Sequence, residues 1–131
     1  MQVAFQALLH TAVTVKTQRV LILGNVLINM GDGYSPDTGY FTAPVSGVYV
    51  FMASSTANVK DKCAKLDLVY EEQDIAYLCG SEESCSCHAA VRVAAGERVW
   101  LRTVKPDADA VYHYEAGWMT SFSGLLVQPD L

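Results

Sequence analysis

The chain has 131 residues, enough for one domain with a core that needs no covalent staples. Its formal net charge of -5 gives no Lys/Arg surplus, which excludes phosphate-driven nucleic-acid binding. Apolar runs such as Val20 to Leu23 and Val26 to Ile28 are too short to cross a bilayer as helices, so no membrane span is expected. Hydrophobic residues at 51% against charged ones at 18% leave apolar area over for a partner as well as a core, which points to oligomerisation.

Taken in order, Val3 to Leu9 and Thr11 to Lys16 are rich in β-branched and apolar residues and carry no helix cap, so both are expected as strands. Val20 to Leu23 and Val26 to Asn29 form a further short pair across Gly24-Asn25, a dipeptide suited to a bend or bulge. From Asn29 to Phe51 the chain is punctuated by Gly31-Asp32-Gly33, by Ser35 to Gly39 and by Pro44 to Gly47. Tyr40 to Thr42 and Val48 to Phe51 lie among these reversals as strands, and Gly47 is expected in a tight turn.

A polar crossing at Ser54 to Lys62 leads to Leu66, Leu68 and Tyr70, which alternate with Asp67, Val69 and Glu71. Glu71 to Asp74 then turns the chain into Ile75 to Leu78, closing a hairpin with Cys63 and Cys79 near its open end. Ala89 to Ala95, Arg98 to Val104, Ala110 to Tyr114 and Ser121 to Val127 complete about ten short strands, with a loop at Pro106 to Asp109. Regular turns and the lack of any helical segment predict an all-β sandwich or jelly roll.

Four cysteines, Cys63, Cys79, Cys85 and Cys87, are even in number and clustered, which suits disulfides in an oxidising, extracellular setting. A bridge from Cys85 to Cys87 across one residue would be strained, and the other two connectivities stay open. Cys85-Ser86-Cys87-His88 resembles a zinc half-site, but the spacing fits no common structural zinc pattern. His10, His88 and His113 have no neighbouring nucleophile or carboxylate at a recognised spacing, so no enzyme is expected. The densest polar-aromatic cluster is Tyr112, His113, Tyr114, Glu115 and Trp118, which offers stacking and hydrogen-bonding groups for a ligand, with packing between subunits as the competing role.

One ordered set of residues resembles the C1q globular domain family, within the wider tumour-necrosis-factor-like class. Asn29, Tyr34, Phe41, Gly47, Tyr49 and Phe51 stand at the spacing of the family signature. Val3-Ala4-Phe5, Gly96 to Leu101 with Trp100, and Phe122 to Leu126 with Gly124 match its flanks. Leu23 and Ala53 replace aromatics usual in the family, a loss of core volume.

The resemblance covers nearly the whole chain and implies a single ten-stranded jelly roll over residues 1–131, secreted and assembled as a homotrimer. The chain shows no Gly-X-Y repeat, so no collagen stalk is expected in it. The implied function is non-catalytic recognition of carbohydrate or microbial-surface patterns, with a matrix or signalling module that binds a protein receptor as the alternative. No cofactor is required; calcium, which some members hold near the trimer apex, would fall to Asp61, Glu71, Glu72 and Asp74.

Overall fold

In the computed structural model every regular element among the described residues is a strand; the structure describes residues 1–15, 17–56, 64–80, 84–104 and 112–131. The chain runs β1 (Ala4–Leu9), β2 (Val13–Val15), β3 (Asn25–Met30), β4 (Phe41–Thr42), β5 (Gly47–Thr56), β6 (Ala64–Tyr70), β7 (Gln73–Gly80), β8 (Ser84–Val93), β9 (Arg98–Thr103), β10 (Tyr112–Tyr114) and β11 (Gly117–Pro129). A five-stranded sheet in the order β3-β1-β11-β5-β8 faces a four-stranded sheet in the order β4-β9-β6-β7. The pairings are antiparallel, and β2 with β10 forms a small third sheet. This is the jelly-roll sandwich expected from the pattern of strands and turns.

The largest departure is at Val20 to Leu23. Only Val20 is bridged, to Arg102, while the Leu21 and Leu23 side chains are buried. Their side chains serve the core, and the only ladder of the segment is the single Val20 bridge, flanked by bonds from the Leu21 N–H to the Leu101 carbonyl and from the Thr103 N–H to the Arg19 carbonyl. The expected crossing after Ser54 begins later, because β5 continues to Thr56; residues 57–63 and the expected loop at Pro106 to Asp109 lie outside the described residues.

Period-two alternation builds the core. Tyr49, Phe51 and Ala53 of β5 point inward, as do Phe5 and Ala7 of β1 and Phe122 of β11, all at 2% exposure or less. Phe5 lies at the centre of an aromatic cluster. It stacks on Tyr34 and Phe41 with centroids 5.2 and 4.9 Å away, and Phe122 meets it edge-on at 4.9 Å. Gly124 makes room for this cluster, since a Cβ there would lie 2.6 Å from the Phe51 ring and 2.7 Å from the Phe5 ring. Gly47 is glycine for a reason other than the expected turn. A Cβ would sit 2.4 Å from the Gln128 carbonyl oxygen, where β11 runs against β5.

The signature polar residues brace the loop between β3 and β4. The Asn29 amide donates to the Tyr34 carbonyl at 2.8 Å and accepts from the Tyr34 N–H at 3.1 Å. Buried Tyr34 spends its hydroxyl on Leu23: it donates to the Leu23 carbonyl at 2.9 Å and accepts from the Leu23 N–H at 3.0 Å. Tyr34→Phe strips both buried backbone groups of their partner, and a loss of about 1–3 kcal/mol in urea unfolding is expected.

The Tyr34 phenol is pushed up from 10.0 to about 12 by burial, partly opposed by the bond to Leu23. Tyr70 also rises to about 12, first because its hydroxyl donates to the Glu97 carboxylate and then because it is desolvated. Folding thus favours the protonated phenols. Their contribution is complete below pH 10.0 and is lost as pH rises through about 12. An alkaline absorbance titration should show Tyr34 and Tyr70 ionising only near pH about 12, with unfolding setting in as they do.

Cross-strand register puts an uncovered apolar row on the outer face of the five-stranded sheet, reading Met30, Ala4, Leu125, Val50, Ala90 from β3 to β8. Exposed Val48 and Val127 adjoin this row. At the other end of the same face the outward residues are mostly serines, Ser54, Ser86, Ser121 and Ser123, together with Met52 and His88, and the Ser54 and Ser121 hydroxyls lie 2.7 Å apart. One face thus carries an apolar half and a hydroxyl-bearing half.

Candidate functional site

The turn from β6 to β7 is a two-residue hairpin, with Tyr70 paired to Gln73 and both Glu71 and Glu72 at positive φ, 44° and 69°. That geometry suits the right-handed strand twist, and side chains enter it at a cost of roughly 1–2 kcal/mol per residue. The hairpin register fixes the neighbours of Asp67. Across the ladder Asp67 stands opposite Tyr77 on one side and Arg102 on the other.

Asp67 is a carboxylate at the middle of an apolar strand, its side chain 9% exposed. Two cations hold it there: Lys65 Nζ lies 3.6 Å from one oxygen and Arg102 Nη2 lies 3.6 Å from the other. Arg102 also bonds Asp74 closely and lies 4.0 Å from Glu72. The Lys65 ammonium stands 4.8 Å from the centroid of the Tyr77 ring, which is 64% exposed.

A groove of about 550 Å³ opens beside these residues, with Lys65, Asp67, Asp74 and Tyr77 on the β6–β7 side and Ser86 and His88 of β8 across from them. A smaller hollow of about 330 Å³ lies over the serine-bearing half of the five-stranded sheet and shares Ser86 and His88. The side chains that line the larger groove come from three strands and include fixed acceptors, donors and one open aromatic ring. Such a lining binds a small polar ligand by hydrogen bonds and stacking; it has no activated nucleophile.

The polar-aromatic cluster expected at residues 112–118 does not come together as one platform. Tyr114 is fully buried with its hydroxyl donating to the Lys65 carbonyl at 2.7 Å, so it packs the core and braces β6. Trp118 points outward, 71% exposed, beside the exposed Met119. Glu115 is half-buried, and the side chains of Tyr112 and His113 lie outside the described residues, although their backbones pair with Val15 and Thr14.

Of the acidic set expected to hold calcium, two members are gathered at an arginine. Glu72 and Asp74 both face Arg102, whose guanidinium supplies the positive charge that a hard cation would. Asp61 lies outside the described residues, and among those described no three His, Cys, Asp or Glu side chains are grouped to hold a metal ion.

Cys85 and Cys87 occupy alternate positions on β8, half-buried against the core. Alternate residues of a strand stand about 6.6 Å apart, at the upper end of the span a disulfide bridges, and Cys87 is a free thiol. Burial pushes that thiol up, a shift the Ala53 backbone partly opposes, so it behaves as a small hydrophobe. Cys63 and the Cys79 side chain lie outside the described residues.

Sequence reasoning passes over Lys65, Asp67, Tyr77, Ser86, His88 and Arg102 as site residues. One signal is available: Asp67 sits between Leu66 and Leu68, and a carboxylate inside a buried strand needs fixed partners.

A family model described as the C1q domain matches residues 4–127. Complement C1q tumor necrosis factor-related protein 3 of Homo sapiens is 28% identical over 132 residues, covering 97% of this chain and 52% of that protein. Multimerin-1 of Homo sapiens is 30% identical over 115 residues, covering 82% of this chain and 9% of that protein. The chain spans about half the length of the first of these relatives and a small part of the second. Among solved structures, the globular domain of zebrafish complement 1qA superposes with a TM-score of 0.75 at 20% identity, covering 99% of this chain and 100% of that one. Eiger TNF from S. frugiperda superposes at 0.74 with 15% identity, covering 99% and 94%. At these identities the two structures speak for the fold alone. No helix among the described residues is long and apolar enough to cross a membrane.

Proposed function

The chain belongs to the C1q domain family, and from that premise we propose that it is a secreted homotrimer that recognises repeated carbohydrate or microbial-surface patterns. The family is one of non-catalytic recognition and signalling proteins. Trimerisation multiplies a weak site, because three tethered copies engage a repetitive surface with high effective concentration.

The observation that carries this reading is the uncovered apolar row on the five-stranded sheet. Met30, Ala4, Leu125, Val50 and Ala90 include no charged residue in a chain whose net charge is -5. Copies of this face meet without like-charge repulsion, and each removes apolar surface of the other from water. A second copy of the chain is the occupant that fits.

Light scattering on the isolated domain should return three times its 14.3 kDa. A monomer at micromolar concentration would remove the avidity on which the reading depends. Recognition itself is tested by presenting the trimer to an array of microbial glycans, once with calcium and once with a chelator. The second reading, a module that binds a protein receptor, draws on the exposed Trp118 and Met119 at the start of β11, residue types enriched at protein interfaces.

A further inference from the structure

The groove at the β7–β8 edge touches the core only through Ile75, Ala76 and Cys87 and is set apart from the apolar row proposed for assembly. β7 ends the four-stranded sheet and β8 ends the five-stranded one, so the groove runs along the open side of the sandwich. It lies at the serine-bearing end of β8, while the apolar row crosses that strand at Ala90. At about 550 Å³ it falls within the roughly 300–1,000 Å³ of small-molecule sites.

We propose that this groove, and not the Tyr112–Trp118 region, is the sugar-binding site of the domain, selective for neutral glycans; the proposal rests on the glycan-recognition reading above. Three properties of the groove lead to it. Tyr77 is the one exposed tyrosine among the described residues, and its ring contributes nothing to the core. Lys65 holds the ring from one side, leaving aromatic surface for the C–H face of a pyranose.

The acceptors are also fixed in advance. Asp67 is gripped by Lys65 and Arg102, and Asp74 by Arg102, so neither carboxylate has to be ordered when a ligand arrives. Paired acceptors of this kind take the hydrogens of adjacent sugar hydroxyls, while Lys65 donates to ring or hydroxyl oxygens. Across the groove the Ser86 hydroxyl and the His88 imidazole each donate and accept.

Charge decides which ligand is favoured. Asp67 and Asp74 are offset by Lys65 and Arg102, and the exposed Glu72 beside Arg102 leaves the cluster only slightly negative. A charged ligand would have to break an internal ion pair to gain one of its own, whereas a neutral polyol uses the remaining acceptor and donor positions of groups already paired. Charged and hydrogen-bonding groups, Lys65, Asp67, Asp74, Ser86 and His88, make up most of the lining, which favours a polyol over an apolar peptide side chain.

The test uses the trimeric protein, with mannan, a linear β-glucan and chitin oligosaccharides as neutral probes and heparin as the charged one. Wild type is expected to bind at least one neutral probe more tightly than heparin. Tyr77→Ala should weaken that binding by about tenfold or more, and Asp74→Asn several-fold, with trimer mass and circular dichroism unchanged. Trp118→Ala should bind as wild type does.

If wild type binds glycan and both groove variants bind equally well, the groove assignment is wrong while the recognition reading stands. Loss confined to Trp118→Ala moves the site to the start of β11, and a preference for heparin removes the neutral selectivity. If no glycan binds, both the reading and the assignment fall. Selection of linear peptides from a display library that Tyr77→Ala no longer holds would then make the groove a peptide site.

Discussion

Phe5→Ala is expected to lower the stability of the domain by about 3–5 kcal/mol, at the top of the range for truncating one core side chain. The ring touches both halves of the sandwich: Tyr34 and Phe41 on one side, Phe51 and Phe122 on the other, with centroids 4.9 to 6.4 Å away. The backbone of β1 is held on both flanks by β3 and β11, so the vacated space cannot close by moving the strand. Most of the cavity therefore persists, and the thermal midpoint should fall by roughly 10–20 °C in calorimetry. A loss under about 1 kcal/mol would mean that the core relaxes freely and that Phe5 is not its centre. Gly124 supports the same view from the other direction, since the space a Cβ would need is already taken by the Phe5 and Phe51 rings.

Leu125→Glu is expected to convert the trimer to monomer without unfolding it. Leu125 is exposed in the single protomer and lies between Ala4 and Val50 in the middle of the apolar row. A glutamate there is solvated in the monomer and costs the fold little. In an assembled trimer it would place three carboxylates inside an apolar contact, at several kcal/mol each. Light scattering should then report the 14.3 kDa of one chain, with the far-ultraviolet spectrum unchanged. Trp118→Glu, away from the row, should remain trimeric. Retention of the trimer by Leu125→Glu would show that protomers meet through another surface. The same variant separates avidity from intrinsic affinity, because the monomer keeps the groove and loses only the multiplication by three.

The fold is legible in the sequence wherever one face of a strand is buried. Tyr49 and Phe51 share parity, and a one-residue slip would turn both into water, so their spacing predicts their direction. Val20 to Leu23 reads as a strand but keeps only a single bridge to β9, because two buried leucines on alternate positions look the same whether a strand pairs along them or a mostly irregular segment lays them on the core. Gly47 stands out in the sequence as a turn residue, but its true constraint is different. The close approach of β11 is set by residues at the far end of the chain, and no local pattern announces it.

The site is far less legible. Tyr112 to Trp118 is a cluster in sequence, yet the extended run is interrupted between β10 and β11, with Tyr114 in the core on one strand and Trp118 in water on the next. The groove shows the reverse. Asp67, Tyr77 and His88 are spread along the chain, and only the hairpin register and the position of β8 at the end of its sheet bring them to one edge.

By itself the sequence determined the strand class, the family signature and which residues fill the core, because burial imposes a period that adjacent residues must obey. The tertiary structure alone decided which polar residues meet. Ladder register and sheet order act between distant segments, and they brought Asp67 to its two cations, Glu72 and Asp74 to their arginine, and the apolar residues of the outer sheet into one uncovered row.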